Sequence, residues 1–198
     1  WLIFNGTLAK HYEYFVAFAF GFDNVNLLDA FLNVRHDDRY QWKIGRFKTP
    51  FTYEFFTEPI NGLIQPERSL FFNNFGVNRD VGIMLHGSVL EKHADYALGV
   101  FNGSRNGYLD HNDAKDLMGY LNLRPFQGSD SPLEFLNLGG SFDVGDQDNT
   151  PVPTILRTNV ATTGSTINGP QFLAFNAGVR ESGLRALGSL HAAWFYRQ

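Results

Sequence analysis

The chain has 198 residues, no cysteine and a formal net charge of −4, with 43% hydrophobic residues and 16% aromatic ones. A mildly acidic chain without a basic stripe or a stacking platform excludes nucleic acid as a partner, and the absence of cysteine excludes a disulfide-stapled scaffold. The longest apolar run, Tyr14–Phe22, is too short to cross a bilayer as a helix, so any membrane contact has to be made by strands.

The first strong pattern starts at residue 11. Tyr12, Tyr14, Val16, Phe18, Phe20 and Phe22 point one way, while His11, Glu13, Phe15, Ala17, Ala19 and Gly21 point the other. A two-residue period is that of a β-strand with one oily face, and its length suits the ~9–11 residues of a strand tilted across a bilayer. The period returns in Leu28–Val34, Tyr40–Ile44, Val81–Leu85, Tyr96–Val100, Leu117–Leu123, Leu136–Val144, Leu173–Val179 and Leu190–Tyr196, which makes nine stretches. Short turns are expected at Asn5–Lys10, His36–Arg39, Val89–Ala94, Gln127–Pro132 and Glu181–Arg185. Between them fall longer excursions at 49–78, 104–113 and 146–170, and a modest one at Asp23–Asn26. One rim of tight turns and one of long loops predicts an all-β, antiparallel transmembrane β-barrel. A soluble β-sandwich or jelly roll also gathers loops at its ends and is the alternative.

The ends of the chain carry an expectation too. Residue 1 is Trp with no signal-like segment, and Trp194–Gln198 stops inside a strand. An open sheet with two bare edges would aggregate, and single-chain bacterial barrels have even strand numbers. The chain is therefore expected to be a partial-length piece of a longer barrel: one partial β-barrel domain over residues 1–198, about nine strands plus a stub.

The run Trp42-Lys43-Ile44-Gly45-Arg46-Phe47-Lys48-Thr49-Pro50-Phe51 resembles the IGxFKxPF strand end of the phosphate-selective porins O and P. Gln65-Pro66-Glu67-Arg68-Ser69-Leu70 is similar to that family's ERSL segment in the following loop. Asn78-Arg79-Asp80-Val81-Gly82-Ile83-Met84-Leu85-His86-Gly87 resembles its GRDVGVxLHG strand, and Tyr96-Ala97-Leu98-Gly99-Val100-Phe101-Asn102-Gly103 its YxxGVFNG strand. Leu123-Arg124-Pro125-Phe126 and Gly178-Val179-Arg180 are also similar, so the resemblance runs from about residue 27 onward; Asn78 departs from it, since Gly is commoner there. The resemblance implies an outer-membrane barrel of about 16 strands, usually trimeric, that conducts anions such as phosphate. It further implies an arginine ladder in the pore and a long loop folded inward as a constriction.

The residues themselves give a more balanced lumen. The inward phase carries Arg35, Lys43, Arg124, Arg180 and Arg197 against Glu13, Asp29, Asp80, Asp95, Asp116 and Asp143, with His86 and His191. Rings of one sign select ions, whereas solvated cross-strand pairs contribute only about 0–1 kcal/mol each. Arg46, Lys48 and Arg79 flank the 49–78 excursion and Arg68 lies inside it. Strict alternation puts Arg46 on the outer phase unless a bulge at Gly45 re-aims it or the strand has already reached the headgroup zone. The candidate pore and anion-binding residues are thus Arg35, Lys43, Arg46, Lys48, Arg68, Arg79, Arg124 and Arg180. The excursion carries Tyr53, Phe55, Phe56, Leu63, Ile64, Leu70, Phe71, Phe72 and Phe75, too apolar to hang in water. It is expected to fold into the pore against small inward residues such as Ala17, Gly45, Gly82 and Gly99, or else to make a subunit contact.

Other chemistry is thin. The six His show no zinc spacing, Gly82 to Ser88 lacks the lysine of a phosphate loop, and no Gly-x-Ser-x-Gly elbow occurs. The acidic groups Asp110–Asp113 and Asp143, Asp146 and Asp148 read as solvated loop tips rather than Ca²⁺ sites. The expected function is a bacterial outer-membrane porin, not an enzyme, passing small solutes and in particular anions such as phosphate. No cofactor or metal is expected; the partners are outer-membrane lipid, small anionic solutes and two further copies in a homotrimer. The alternatives are a general or structural outer-membrane barrel and a soluble β-sandwich that binds a ligand.

Overall fold

In the computed structural model the described residues are 1–21, 24–58, 68–105, 107–110, 112–152, 155–158 and 170–196. The wall consists of β1 (Leu2–Leu8), β2 (Tyr12–Gly21), β3 (Asn24–Asp37), β4 (Tyr40–Lys48), β5 (Arg79–Val89), β6 (Ala94–Phe101), β7 (Asp116–Leu123), β8 (Leu136–Pro151) and β11 (Arg180–Trp194). These nine strands form one sheet in the order β1-β2-β3-β4-β5-β6-β7-β8-β11, every pair antiparallel. The sheet is not closed, and β1 and β11 are its two edges. A second, two-stranded sheet joins β9 (Ile155–Arg157) to β10 (Gln171–Ala174). Two short helices, α1 (Tyr53–Phe56) and α2 (Leu70–Phe75), lie in the connection from β4 to β5.

The side-chain period separates the two faces. Trp42, Ile44, Leu98, Leu121, Leu138 and Phe142 on the outer phase are all exposed. A continuous apolar face of this kind disfavours water as its solvent, at roughly 25 cal/mol per Å², and suits hydrocarbon. On the inner phase Met84, Ala97, Phe101, Met118 and Tyr120 are buried, and Phe47, Phe51 and Val77 pack onto them from the β4–β5 connection and its flanks.

Pairing overrode local turn signals at several places. Asn5–Leu8, expected as a turn, belongs to β1, whose register runs from Leu2 opposite Phe18 to Leu8 opposite Tyr12. Gly6 there makes room for the Tyr14 ring, and the turn falls at Ala9–His11. Glu181–Arg185 is likewise not a turn. It lies inside β11, where Gly183 at φ 90 accompanies a register shift between Glu181 and Ser182, a bulge rather than a reversal. The stretch Leu173–Val179 is no wall strand: only Gln171–Ala174 is extended, it pairs with β9, and β8 takes β11 as its neighbour. Asp146–Pro151 and Asn24–Asn26, expected in loops, extend β8 and β3. Asp143 and Asp146 therefore stand on opposite faces of one strand and do not form a loop cluster. In β3, Phe18 faces Leu27 while Ala17 faces Asp29, so the outer phase skips a residue at Leu28.

Candidate pore-lining site

The β4–β5 connection is held at both ends. Thr49 donates to the Asn78 carbonyl through both its N–H, at 2.9 Å, and its hydroxyl, at 2.7 Å. Asn78 sits at φ 50, a left-handed conformation that Asn tolerates and Gly prefers, which accounts for the residue type expected there. From this clasp the chain crosses the inner face. The Thr52 N–H donates to Ser141 Oγ at 3.0 Å, the Thr57 and Tyr120 hydroxyls lie 2.7 Å apart, and the Tyr53 and His191 rings are 4.7 Å apart. Residues of one loop thus touch β7, β8 and β11. Glu54 ties the two helices together by accepting from both the N–H and the hydroxyl of Ser69, which in turn caps α2 by accepting from the Phe72 N–H at 3.1 Å. Asn74 exchanges two hydrogen bonds with the Arg157 backbone, at 2.9 and 2.8 Å, and so fixes β9 upon α2. Residues 59–67, including Leu63, Ile64 and the Gln65–Glu67 part of the motif, lie outside the described residues.

Three of the candidate cations converge on one buried ring. Lys48 Nζ is 5.1 Å, Arg68 5.0 Å and Arg79 5.7 Å from the Phe55 centroid, and Phe55 itself stacks on Phe72 at 4.4 Å. Lys48 also donates to the Phe55 carbonyl at 3.0 Å and pairs with no carboxylate among the described residues. Arg79 donates to Asp29 at 3.0 Å, and Arg68 donates to the Glu54 carbonyl. Burial lowers the Arg68 pKa and raises that of Glu58, the next carboxylate along the loop. An aromatic ring attracts a cation through its quadrupole but carries no charge of its own, so Phe55 adds no counter-charge to the three groups.

The other candidates lie elsewhere. Lys43 reaches over the Phe31 ring at 4.7 Å on the inner face. Arg35 pairs with Glu13 at 3.2 Å and Asp38 at 2.8 Å at the short-turn rim, and Arg124 pairs with Asp95 at 2.8 Å on the same rim. Arg180 is exposed at the start of β11, and Arg197 lies outside the described residues. By register Arg46 keeps the outer phase, and Lys48, two residues on in β4, and Arg79 opposite Lys48 share it at the long-loop rim. Gly45 has φ 126 and a Cβ there would meet the Ala30 carbonyl, which explains the glycine, yet the register passes through it unbroken, with Arg46 opposite Ala30 and Val81. The guanidinium is covered by the loop after β6, donating to the Gly107 carbonyl and lying 4.2 Å from the Tyr108 ring.

A second charged group escaped the sequence reading. Arg185, placed by its sequence in a turn, is 7% exposed; it donates to Asp116, to Glu181 at 2.9 Å and to the Gly103 carbonyl at 3.0 Å, and lies 3.4 Å from Asp143. Arg105 donates to the other Glu181 oxygen at 2.8 Å, and burial lowers its pKa. Gln147 holds the second Asp116 oxygen at 2.7 Å. The available signal was Gly145, whose lack of a Cβ leaves the space that the Asp116 carboxylate fills.

An antiparallel wall with an apolar outer face, an inner face that mixes buried apolar and charged side chains, and a long connection laid across that inner face defines a β-barrel porin. The family is more particular: the model of the phosphate-selective porin O and P family matches residues 1–171, and the chain belongs to that family. The match includes the first 26 residues, which the motif resemblance did not reach, and it stops before Gly178–Arg180. Among curated proteins the chain finds no match.

Proposed function

We propose that the chain forms the wall of a bacterial outer-membrane pore for small anions such as phosphate, with the 49–78 connection as its constriction. The convergence of Lys48, Arg68 and Arg79 on Phe55 carries this reading. Asp29 pairs with Arg79, and the Glu54 carboxylate accepts from Ser69. Local charge in a narrow, low-dielectric neck outweighs the nearly balanced average over the wider inner face, and a guanidinium offers an oxyanion a fork of donors. Arg35 and Arg124, matched by carboxylates at the short-turn rim, contribute little to selection, and Lys43 supplies a further cation below the neck. Arg46 borders this cluster, reaching the Arg79 carbonyl at 3.4 Å beneath the Tyr108 ring, and Arg180, at the start of β11, lies outside it. The family reading extends to a homotrimer in lipid, which crosslinking in detergent would test.

The direct test is the reversal potential of the reconstituted pore across a salt gradient, for the unaltered protein and for an Arg68→Ala, Arg79→Ala double variant. An anion preference that falls in the variant is the expected result. A cation preference, or selectivity that the double substitution leaves unchanged, would reduce the protein to a general porin.

A further inference from the structure

Beneath α1, toward the short-turn rim, the inner face holds a cavity of about 670 Å³ that the anion reading does not use. Its volume lies within the range of roughly 300–1,000 Å³ of small-molecule sites. Three aromatic side chains line it from three separate parts of the chain: Tyr53 from α1, Phe135 from the β7–β8 connection and Phe195 after β11. Glu58, Glu134 and Arg124 line it as well. Neither Glu58 nor Glu134 makes a side-chain hydrogen bond or ion pair among the described residues, and the Tyr53 hydroxyl is equally uncommitted. Arg124 is held in place by the Asp95 carboxylate and the Lys92 carbonyl, so its charge is matched before any ligand arrives.

This is a mixed set: uncommitted acceptors in two carboxylates, donors in a guanidinium and a phenol, and apolar ring faces between them. A small oxyanion suits it poorly, because it would meet two carboxylates and no unmatched cation. An organic cation would satisfy the carboxylates but offers no acceptor to the guanidinium and phenol hydrogens on the same wall. A pyranose sugar meets neither objection, since its hydroxyls both donate and accept while its C–H face covers an aromatic ring. We infer that this cavity is a binding station for a neutral pyranose sugar, separate from the anion cluster above it.

The test uses the full chain in detergent and in planar bilayers, with glucose and a glucose oligomer as probes. Saturation-transfer NMR should show sugar signals that fall at least fivefold in Phe135→Ala and in Glu134→Gln, two substitutions in an exposed connection. In bilayers the same sugars should interrupt the current of the unaltered pore in a saturable manner, and at least fivefold more weakly in both variants, with sugar-free conductance unchanged. Equal saturation transfer in all three proteins would overturn the proposal, as would stronger current block by a tetraalkylammonium ion than by glucose. The NMR result does not depend on ion selectivity, so failure of the anion reading and failure of the sugar site are read separately.

Discussion

The ring of Tyr53 lies 4.7 Å from the imidazole of His191, and His191 in turn is stacked on Tyr120 at 5.6 Å. The first long connection is thereby fastened to the last strand of the wall as well as to β7. Aromatic pairs at these separations contribute about 0.5–1.5 kcal/mol beyond the area they bury, and Phe56 adds a second edge-on contact to Tyr120 at 5.0 Å.

Removing these anchors should loosen the connection without dismantling the wall. A Tyr53→Ala, Phe56→Ala double variant is expected to lose about 3 kcal/mol of stability, to conduct more and to discriminate less among ions. Single-channel recording decides the matter, and unchanged conductance would show that the connection does not narrow the path.

Arginine substitutions should report which face meets lipid. Leu121→Arg and Leu138→Arg, both on the exposed apolar face, are expected to cost about 2–4 kcal/mol near mid-bilayer. Ala19→Arg, on the inner phase and only partly buried, should cost much less. Ala17 and Gly139 are poor inner-face controls, since Ala17 is buried and a Cβ at Gly139 would meet the Leu121 carbonyl. Equal penalties at all three positions in a refolding assay would contradict the assignment of faces.

Arg185 joins β11, β7 and the loop after β6, and it faces two buried carboxylates. Arg185→Ala should destabilise the protein by about 3–5 kcal/mol, because Asp116 and Asp143 would then be buried without their cation. Adding Asp143→Asn should recover part of that loss by removing one orphaned charge. Thermal unfolding in detergent measures both, and a double variant no more stable than the single one would argue against charge burial as the cause.

Asn78 gives a backbone test. At φ 50, Asn78→Gly should leave stability within about 0.5 kcal/mol, whereas Asn78→Val should cost about 1–3 kcal/mol, since a β-branched residue is strained there. Indistinguishable melting curves for the two variants would mean that the Thr49 clasp is not what holds the connection.

The polarity of the wall was legible in the sequence because it is local. Alternation such as Leu117, Leu121 and Leu123 against Met118, Tyr120 and Asn122 encodes two different solvents within a single strand, and a period of two needs no partner to be seen. The motifs from Trp42 to Phe51 and from Asn78 to Gly87 were enough for the family, and the apolar content of the 49–78 connection showed that it needed a surface to rest on. Asn5-Gly6 and Ser182-Gly183, by contrast, carry turn chemistry that strand pairing overrides. Gly6 lies under Tyr14, and Gly183 is taken up in a bulge.

By itself, then, the sequence determined the period, the alternation of rims as far as β8 and the family, since each is written in neighbouring residues. Only the tertiary structure decided that β8 pairs with β11 rather than with residues 173–179, that Arg185 is buried among Asp116, Asp143 and Glu181, and that Lys48, Arg68 and Arg79 share Phe55 while Arg46 lies over Tyr108. These are outcomes of competition between partners far apart in the chain. A charge's environment depends on which strand arrives beside it, and no local pattern records that.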